Sequence, residues 1–149
     1  MDHDLQEPTS GLTPHLAIGA GRAADAIIFY KKAFGAEELM RHAADDGRLM
    51  HAHLKVNGHS LMMHDHFPEH HGGQELPDPA GVMIHLQVTD PDAWWNRAIG
   101  AGASVVMELA DQFWGDRYGQ VKDPFGFIWS IGAPVKQAQP QSAQQPATA

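Results

Sequence analysis

The sequence predicts an α+β fold built from two tandem βαβββ units, and three observations support this fold class. A helical segment ending in Gly-Ala occurs twice, as FYKKAFGA at residues 29–36 and as WWNRAIGA at residues 94–101. One strand pattern precedes each copy, and three strand patterns follow it. A stretch rich in proline and glycine, residues 66–80, separates the copies. A repeat distance of about 65 residues is too long for a solenoid and indicates two fused half-domains.

The first unit covers about residues 12–65. Residues 12–19 form the predicted first strand, and apolar residues at helical spacing follow and end at Gly35. Three further strands are expected, at residues 37–42, 49–56 and 59–65. The pair Asn57-Gly58 between the last two predicts a hairpin turn. Alternation along the middle strand places His51 and His53 on one face and Met50 among the apolar residues of the other face.

The second unit covers about residues 81–133. Residues 82–89 form its predicted first strand, and Asp90 is a good helix N-cap with Pro91 at the first helical position. Gly100 and Gly102 are expected to end that helix. Three strands follow, at residues 103–108, 117–122 and 127–132. The two units form a single domain over residues 11–135, whereas residues 1–10 and 136–149 are predicted to be disordered because they are polar and lack periodicity.

Composition excludes several functions. The net charge is −8, and Lys and Arg form no cluster, so binding to nucleic acid is not expected. The chain has no stretch of about 18 apolar residues and no signal peptide, which predicts a cytoplasmic protein that does not enter a membrane. Because there is no cysteine, disulfides, thiolate metal sites and a cysteine nucleophile are excluded.

Several motifs resemble one family. The segments TPHLAIG, FYKKAFGAEELMR, GRLMHAHLKVNGHSLMMHD and DQFWGDRYGQVKDPFGFIWSI are similar in order and spacing to the PhnB-like branch of the vicinal oxygen chelate superfamily. That superfamily contains glyoxalases, bleomycin resistance proteins and extradiol dioxygenases. The resemblance spans about residues 12–135. It implies curved mixed sheets around a cavity, as in the glyoxalase-like fold, and a homodimer that binds a small molecule.

The resemblance also implies positions for metal ligands. Metal-using members carry His or Glu on the first and last strands of each unit, and the ion is a divalent metal such as Zn, Ni, Mn or Fe. Here His15 stands at the first position, and Met83 is aligned with it in the second unit, with His85 two residues further on. Met62 and Ser130 stand at the last-strand positions and are poor ligands for hard cations. His64 shares a strand face with Met62 and could replace a missing ligand, so the candidate metal set is His15, His85 and His64.

Other residues are candidates for the cavity. His51 is either a general base in the cavity or an ordinary exposed residue, and His53 is expected at the surface. In the segment FWGDRYG, Trp114, Arg117 and Tyr118 either bind a small, partly anionic ligand or form a structural corner in which Arg117 pairs with a nearby aspartate. At least one of the two tryptophans of the second helix should pack in the core. The linker histidines are expected to be exposed, namely His66, His70 and His71.

Three functions stay open at this point. A binding protein for an aromatic or cationic small molecule is favoured, because Met62 and Ser130 replace metal ligands and the chain is acidic. The alternative is a metal-dependent, glyoxalase-like lyase or isomerase, or a dioxygenase, acting on a small vicinal-oxygen substrate. A protein that only interacts with other proteins is less favoured, because histidines are expected to line the cavity.

Overall fold

The computed structural model describes residues 8–135. The predicted disordered tail at residues 136–149, and residues 1–7 of the predicted disordered N-terminus, lie outside the described residues. Within residues 8–135 no helix is long and apolar enough to cross a membrane.

The predicted pair of βαβββ units is confirmed. The first unit contains β1 (His15–Ile18), α1 (Ala23–Phe34), β2 (Glu37–Ala43), β3 (Leu49–Val56) and β4 (His59–Asp65). The second contains β5 (Met83–Gln87), α2 (Pro91–Ala101), β6 (Ser104–Asp111), β7 (Asp116–Lys122) and β8 (Ile128–Pro134). A short 3₁₀ turn, Pro68–His70, lies in the linker between them.

Each unit forms one mixed four-stranded sheet. The strand orders are β1-β4-β3-β2 and β5-β8-β7-β6, with the first pair of each sheet parallel and the other pairs antiparallel. Helices α1 and α2 pack against each other and against one face of the sheets, where the core side chains lie. Within residues 8–135, the edge strands β1 and β5 have no strand partner on their outer side.

The helix ends follow the local sequence. Asp90 caps α2 by accepting a hydrogen bond of 3.2 Å from the backbone N–H of Ala93. Gly35 and Gly102 follow the two helices with φ of 66° and 115°, the left-handed region in which a side chain is strained. Gly100 lies inside α2, so Gly102 alone ends that helix, which corrects the prediction.

A buried carboxylate joins the two units. Asp123 Oδ2 accepts hydrogen bonds from the Tyr30 hydroxyl at 2.6 Å and from Trp129 Nε1 at 2.9 Å. Its Oδ1 accepts from the backbone N–H groups of Phe125 and Phe127 at 2.9 and 3.0 Å. Since Tyr30 belongs to α1 and the other partners to the turn and strand β8, this network fixes the first helix against the second unit.

Candidate functional site

Each sheet has one face that is not covered by the helices, called here its open face. On the first sheet, the helix-facing residues are buried, as Leu16 and Met63 show, whereas their neighbours His15 and Met62 point the opposite way. The same alternation separates buried Ile131 from Ser130 on the second sheet. The open faces contain His15, His51, His53, Met62 and His64 in the first unit, and Met83, His85, Tyr118, Gln120 and Ser130 in the second.

Strand register identifies the equivalent positions of the two units. His15 lies beside Met62 on neighbouring strands, and His85 lies beside Ser130 in the same parallel arrangement. His85 is therefore the counterpart of His15, and the sequence alignment that gave this place to Met83 is wrong by two residues. Both units thus present a histidine at the same position of their first strand.

Three histidines meet on the first open face. His15 Nε2 lies 2.9 Å from His64 Nδ1, and the ring centres of His15 and His51 are 5.9 Å apart. Burial, and secondly the neighbouring histidine charges, lower the pKa of both His15 and His64 below its usual value. Both rings are therefore held neutral near pH 7, and one can donate its proton to the other.

His53 corrects a prediction. It was expected at the surface, but its side chain is only 1% exposed, and its Nε2 lies 2.8 Å from the Ser60 hydroxyl. His53 pairs with Met40 of β2 and with Met62 of β4, so it lies in the middle of the first sheet. The residue is thus a buried neighbour of the histidine cluster.

On the second open face, His85 is held from both sides. Its Nδ1 lies 2.7 Å from the Ser130 hydroxyl, and its Nε2 lies 2.7 Å from Gln87 Oε1. Because an amide oxygen can only accept, Nε2 carries the proton and Nδ1 accepts from the serine. Tyr118 stacks on the imidazole, with ring centres 5.9 Å apart at 21°.

A glycine makes room for this stack. A Cβ at Gly132 would lie 3.2 Å from His85 Cε1 and 3.3 Å from Tyr118 Cδ2, so a side chain there would press on both rings. The Tyr118 hydroxyl accepts a hydrogen bond from Gln120 Nε2 at 3.2 Å and lies 3.6 Å from the Met83 sulfur. Gln87 and Gln120 were missed by the sequence reasoning, although alternation from His85 and Tyr118 places both on the same face.

Arg117 does not join this site. It alternates with Tyr118 along β7, and its guanidinium pairs with both oxygens of Asp92, at 2.8 and 3.0 Å, and with Asp111 at 3.1 Å. Trp114 Nε1 donates to Asp116 Oδ2 at 2.9 Å, while its ring lies 5.7 Å from that of Tyr118. These ion pairs favour the structural-corner interpretation for Arg117, and they leave Trp114 at the edge of the second open face.

Two further expectations need correction. His66 was expected to be exposed, but it is 8% exposed, and its Nε2 lies 2.8 Å from the backbone oxygen of Gln74; His70 and His71 are exposed as predicted. Met50 was assigned to the core face, but its side chain is 57% exposed. The tryptophan prediction is confirmed, because Trp95 is buried.

The residues present do not offer a divalent ion a complete set of ligands. Residues 8–135 contain no group of three or more His, Asp or Glu side chains placed to hold a metal ion. Both nitrogens of His85 are already hydrogen-bonded, and its neighbour Ser130, like Met62 beside His15, is a poor ligand. No chemical step through a metal is therefore derived for this chain.

Comparison with known proteins gives one consistent result. The model of the Glyoxalase/Bleomycin resistance protein/Dioxygenase superfamily matches residues 13–131. The protein Mb0911c of Mycobacterium bovis is 52% identical over 130 residues, which cover 85% of this chain and 84% of that protein. The crystal structure of TioX from Micromonospora sp. ML1 has a TM-score of 0.65 at 27% identity and covers 85% of this chain and 99% of TioX.

A more distant neighbour supports the fold alone. FosX from Listeria monocytogenes, a fosfomycin resistance protein whose crystal structure contains Mn(II) and sulfate, has a TM-score of 0.61 at 14% identity. That comparison covers 87% of this chain and 95% of FosX.

Proposed function

The chain belongs to the glyoxalase, bleomycin resistance protein and dioxygenase superfamily, and we propose that it binds a small molecule, without a metal, on the open face of its second sheet. The observation that carries this proposal is the arrangement around His85. Ser130 and Gln87 fix the orientation and tautomer of the imidazole, and Tyr118 stacks on it above Gly132. Such a rigid aromatic and polar surface suits the recognition of a planar ligand.

Neighbouring side chains extend the surface. Met83 and Met107 lie on the same open face and are 44% and 38% exposed, and Trp114 at its edge is 48% exposed. Methionine and aromatic side chains provide adaptable apolar contact. The chain carries a net charge of −8, so a cationic aromatic ligand would be attracted over a longer range.

The first open face is proposed to offer His15 and His51, whose ring centres lie 5.9 Å apart, as further polar groups for a ligand. Arg117 is paired with Asp92 and Asp111, and it could bind an anionic group of the ligand only by giving up one of these ion pairs. Arg117 is therefore not included in the proposed binding surface. The site of action is proposed to be the cytoplasm.

We also propose that the protein is a homodimer. β6 exposes Val105 and Val106 to solvent, at 45% and 50%, and a second copy of the chain would cover this apolar surface. Light scattering at micromolar concentration is expected to give twice the chain mass of 16.3 kDa. A mass of one chain under these conditions would contradict this prediction.

Ligand binding can be tested with 9-aminoacridine, a planar aromatic cation, by following the quenching of tryptophan fluorescence. We expect saturable binding, and His85→Ala should weaken it roughly tenfold, which corresponds to about 1.4 kcal/mol. His70→Ala is the matched control, because His70 is exposed in the linker, and it should leave binding unchanged. Equal effects of the two variants, or no saturable quenching, would contradict the proposal.

The metal-dependent lyase, isomerase or dioxygenase is the alternative function, and one observation favours it: the facing nitrogens of His15 and His64. In the same protein, prepared without a His-tag, metal analysis is expected to find much less than one divalent ion per chain. One tightly bound ion per chain that is lost in His15→Ala, but kept in His70→Ala, would replace the proposed function by the metalloenzyme.

A further inference from the structure

A cavity lies where the two units meet, and it is called here the seam cavity. Its volume is about 310 Å³, at the lower end of the range typical of small-molecule sites. One wall is β1 with the residue before it, another is formed by β5 and the start of β8, and linker residues 76–80 close a third side. Its apolar lining includes Leu16, Leu76, Val82, Ile84 and Phe127, and His15 adds a polar group.

The seam cavity is preformed, because the linker is held tightly in place. A Cβ at Gly126 would lie only 2.9 Å from Pro79 Cδ, so the glycine allows the linker to approach the β7–β8 turn. At the other end of the segment, the backbone oxygen of Gln74 lies 2.8 Å from Nε2 of the buried His66. Fixed segments of this kind reduce the ordering cost that a ligand must overcome.

The lining is apolar, with a single titratable group. Pro14, Pro77 and Pro79 contribute walls that have no backbone N–H, and most of the other lining residues are aliphatic or aromatic. Among the described residues that line the cavity, His15 is the only one with an ionisable side chain. A charged ligand would find no counter-ion here, whereas a neutral ligand with one hydrogen-bonding group would find a partner.

We propose that the seam cavity binds a neutral aromatic molecule of one or two rings whose hydroxyl or carbonyl group lies against His15. The rings would occupy the space between Ile84, Phe127 and the linker prolines. This site differs from the one on the second open face, because Leu16 is a buried core residue and Ile84 and Phe127 pack against the same core. His15 on the first open face and Ile128 on the second border the seam cavity as well.

The test uses 2-naphthol as the probe, with protein labelled at the methyl groups of Leu, Val, Ile and Met. Saturable chemical-shift changes are expected at Leu16, Leu76 and Ile84. Val82→Trp should weaken binding at least tenfold, because Val82 lines the mouth and is 78% exposed, so that the larger side chain enters the cavity without disturbing the core. Ile28→Trp on α1 is the matched control, since Ile28 is 60% exposed and does not line the cavity.

A second comparison tests the polar contact. His15→Ala should weaken binding of 2-naphthol several-fold and leave binding of naphthalene, which has no hydroxyl group, unchanged. Shift changes confined to the methyl groups of Met83 and Met107 would place the probe on the second open face and overturn the proposal. Equal losses in Val82→Trp and Ile28→Trp would overturn it too, and neither result bears on the binding of 9-aminoacridine near His85.

Discussion

Asp123→Ala is expected to lower the free energy of unfolding by about 4 kcal/mol, because it removes both carboxylate oxygens and leaves four hydrogen-bond donors without their acceptors. Asp123 is 4% exposed, and the Tyr30 hydroxyl and the Trp129 indole N–H that it binds lie in the core. A methyl group at this position cannot accept a hydrogen bond, and water has little access to replace the carboxylate. The backbone N–H groups of Phe125 and Phe127 contribute less to the loss of stability, because they are only partly buried and water can replace the carboxylate there.

Urea denaturation, followed by tryptophan fluorescence, measures this loss, and Tyr30→Phe is the control that removes one donor and keeps the carboxylate. It should cost about 2 kcal/mol at pH 7, the usual size for a hydrogen bond to a charged group. Burial, and then the Asp123 charge, raise the pKa of the Tyr30 hydroxyl well above its usual value of 10.0. The native chain therefore binds this proton more tightly than the unfolded chain, and stability falls as pH rises above about 10. Because Tyr30→Phe has no hydroxyl to titrate at this position, its stability should fall less than that of the parent above about pH 10. A cost for Asp123→Ala no greater than that for Tyr30→Phe would contradict the prediction.

The fold could be predicted because its signals are local and occur twice. Gly35 and Gly102 end the helices by their backbone conformation, and Asp90 begins α2 with its side chain. Asn57, with a φ of 51°, and Gly58 form the hairpin turn that their sequence indicated. Each of these signals acts within a few residues, so no knowledge of the partner strands is needed.

The site was harder to predict because it depends on strand register and on which side chains the neighbouring strands bury. Met50 departs from strand alternation because it is the extra residue of a β-bulge, between the paired positions of Leu49 and His51. His53 follows the alternation, but alternation alone does not show that it is 1% exposed between β2 and β4 and beside the Ser60 hydroxyl. The equivalence of His15 and His85 is visible in the sequence only when PHLAI is aligned with IHLQV, and pairing with β4 and β8 establishes it.

The sequence also could not indicate which side chains from other elements would bind the candidate residues. Arg117 was expected to pair with an aspartate close in sequence, and it does bind Asp111, but its bidentate partner Asp92 lies on α2. The contact forms because β7 runs beside the start of that helix. Likewise, Gln87 can bind His85 Nε2 because Nδ1 of the same ring faces Ser130. This ring orientation depends on the pairing of β5 with β8 in the folded sheet.

Gly119→Ala is expected to lower the free energy of unfolding by about 3 kcal/mol or to prevent stable folding, because the added methyl group has no space. A Cβ at this buried position of β7 would lie 2.7 Å from Trp95 Cζ3 and 2.7 Å from Leu109 Cα. Trp95 is itself buried between α2 and the sheet, and the second contact is with backbone, so neither neighbour can move away easily. Thermal and urea denaturation would measure the loss.

Gly100→Ala is the matched control for this prediction, since it makes the same change at a position where nothing lies within 4 Å of the new Cβ. Gly100 is in α2, and alanine favours the helix by about 0.5–1 kcal/mol over glycine, so this variant should be slightly more stable than the parent. If the free energy of unfolding falls in Gly119→Ala and rises in Gly100→Ala, the loss at Gly119 results from crowding against Trp95 and Leu109. A Gly119→Ala variant as stable as the parent would mean that α2 can move away from β7, and the close packing of this helix on the second sheet would then not be a source of stability.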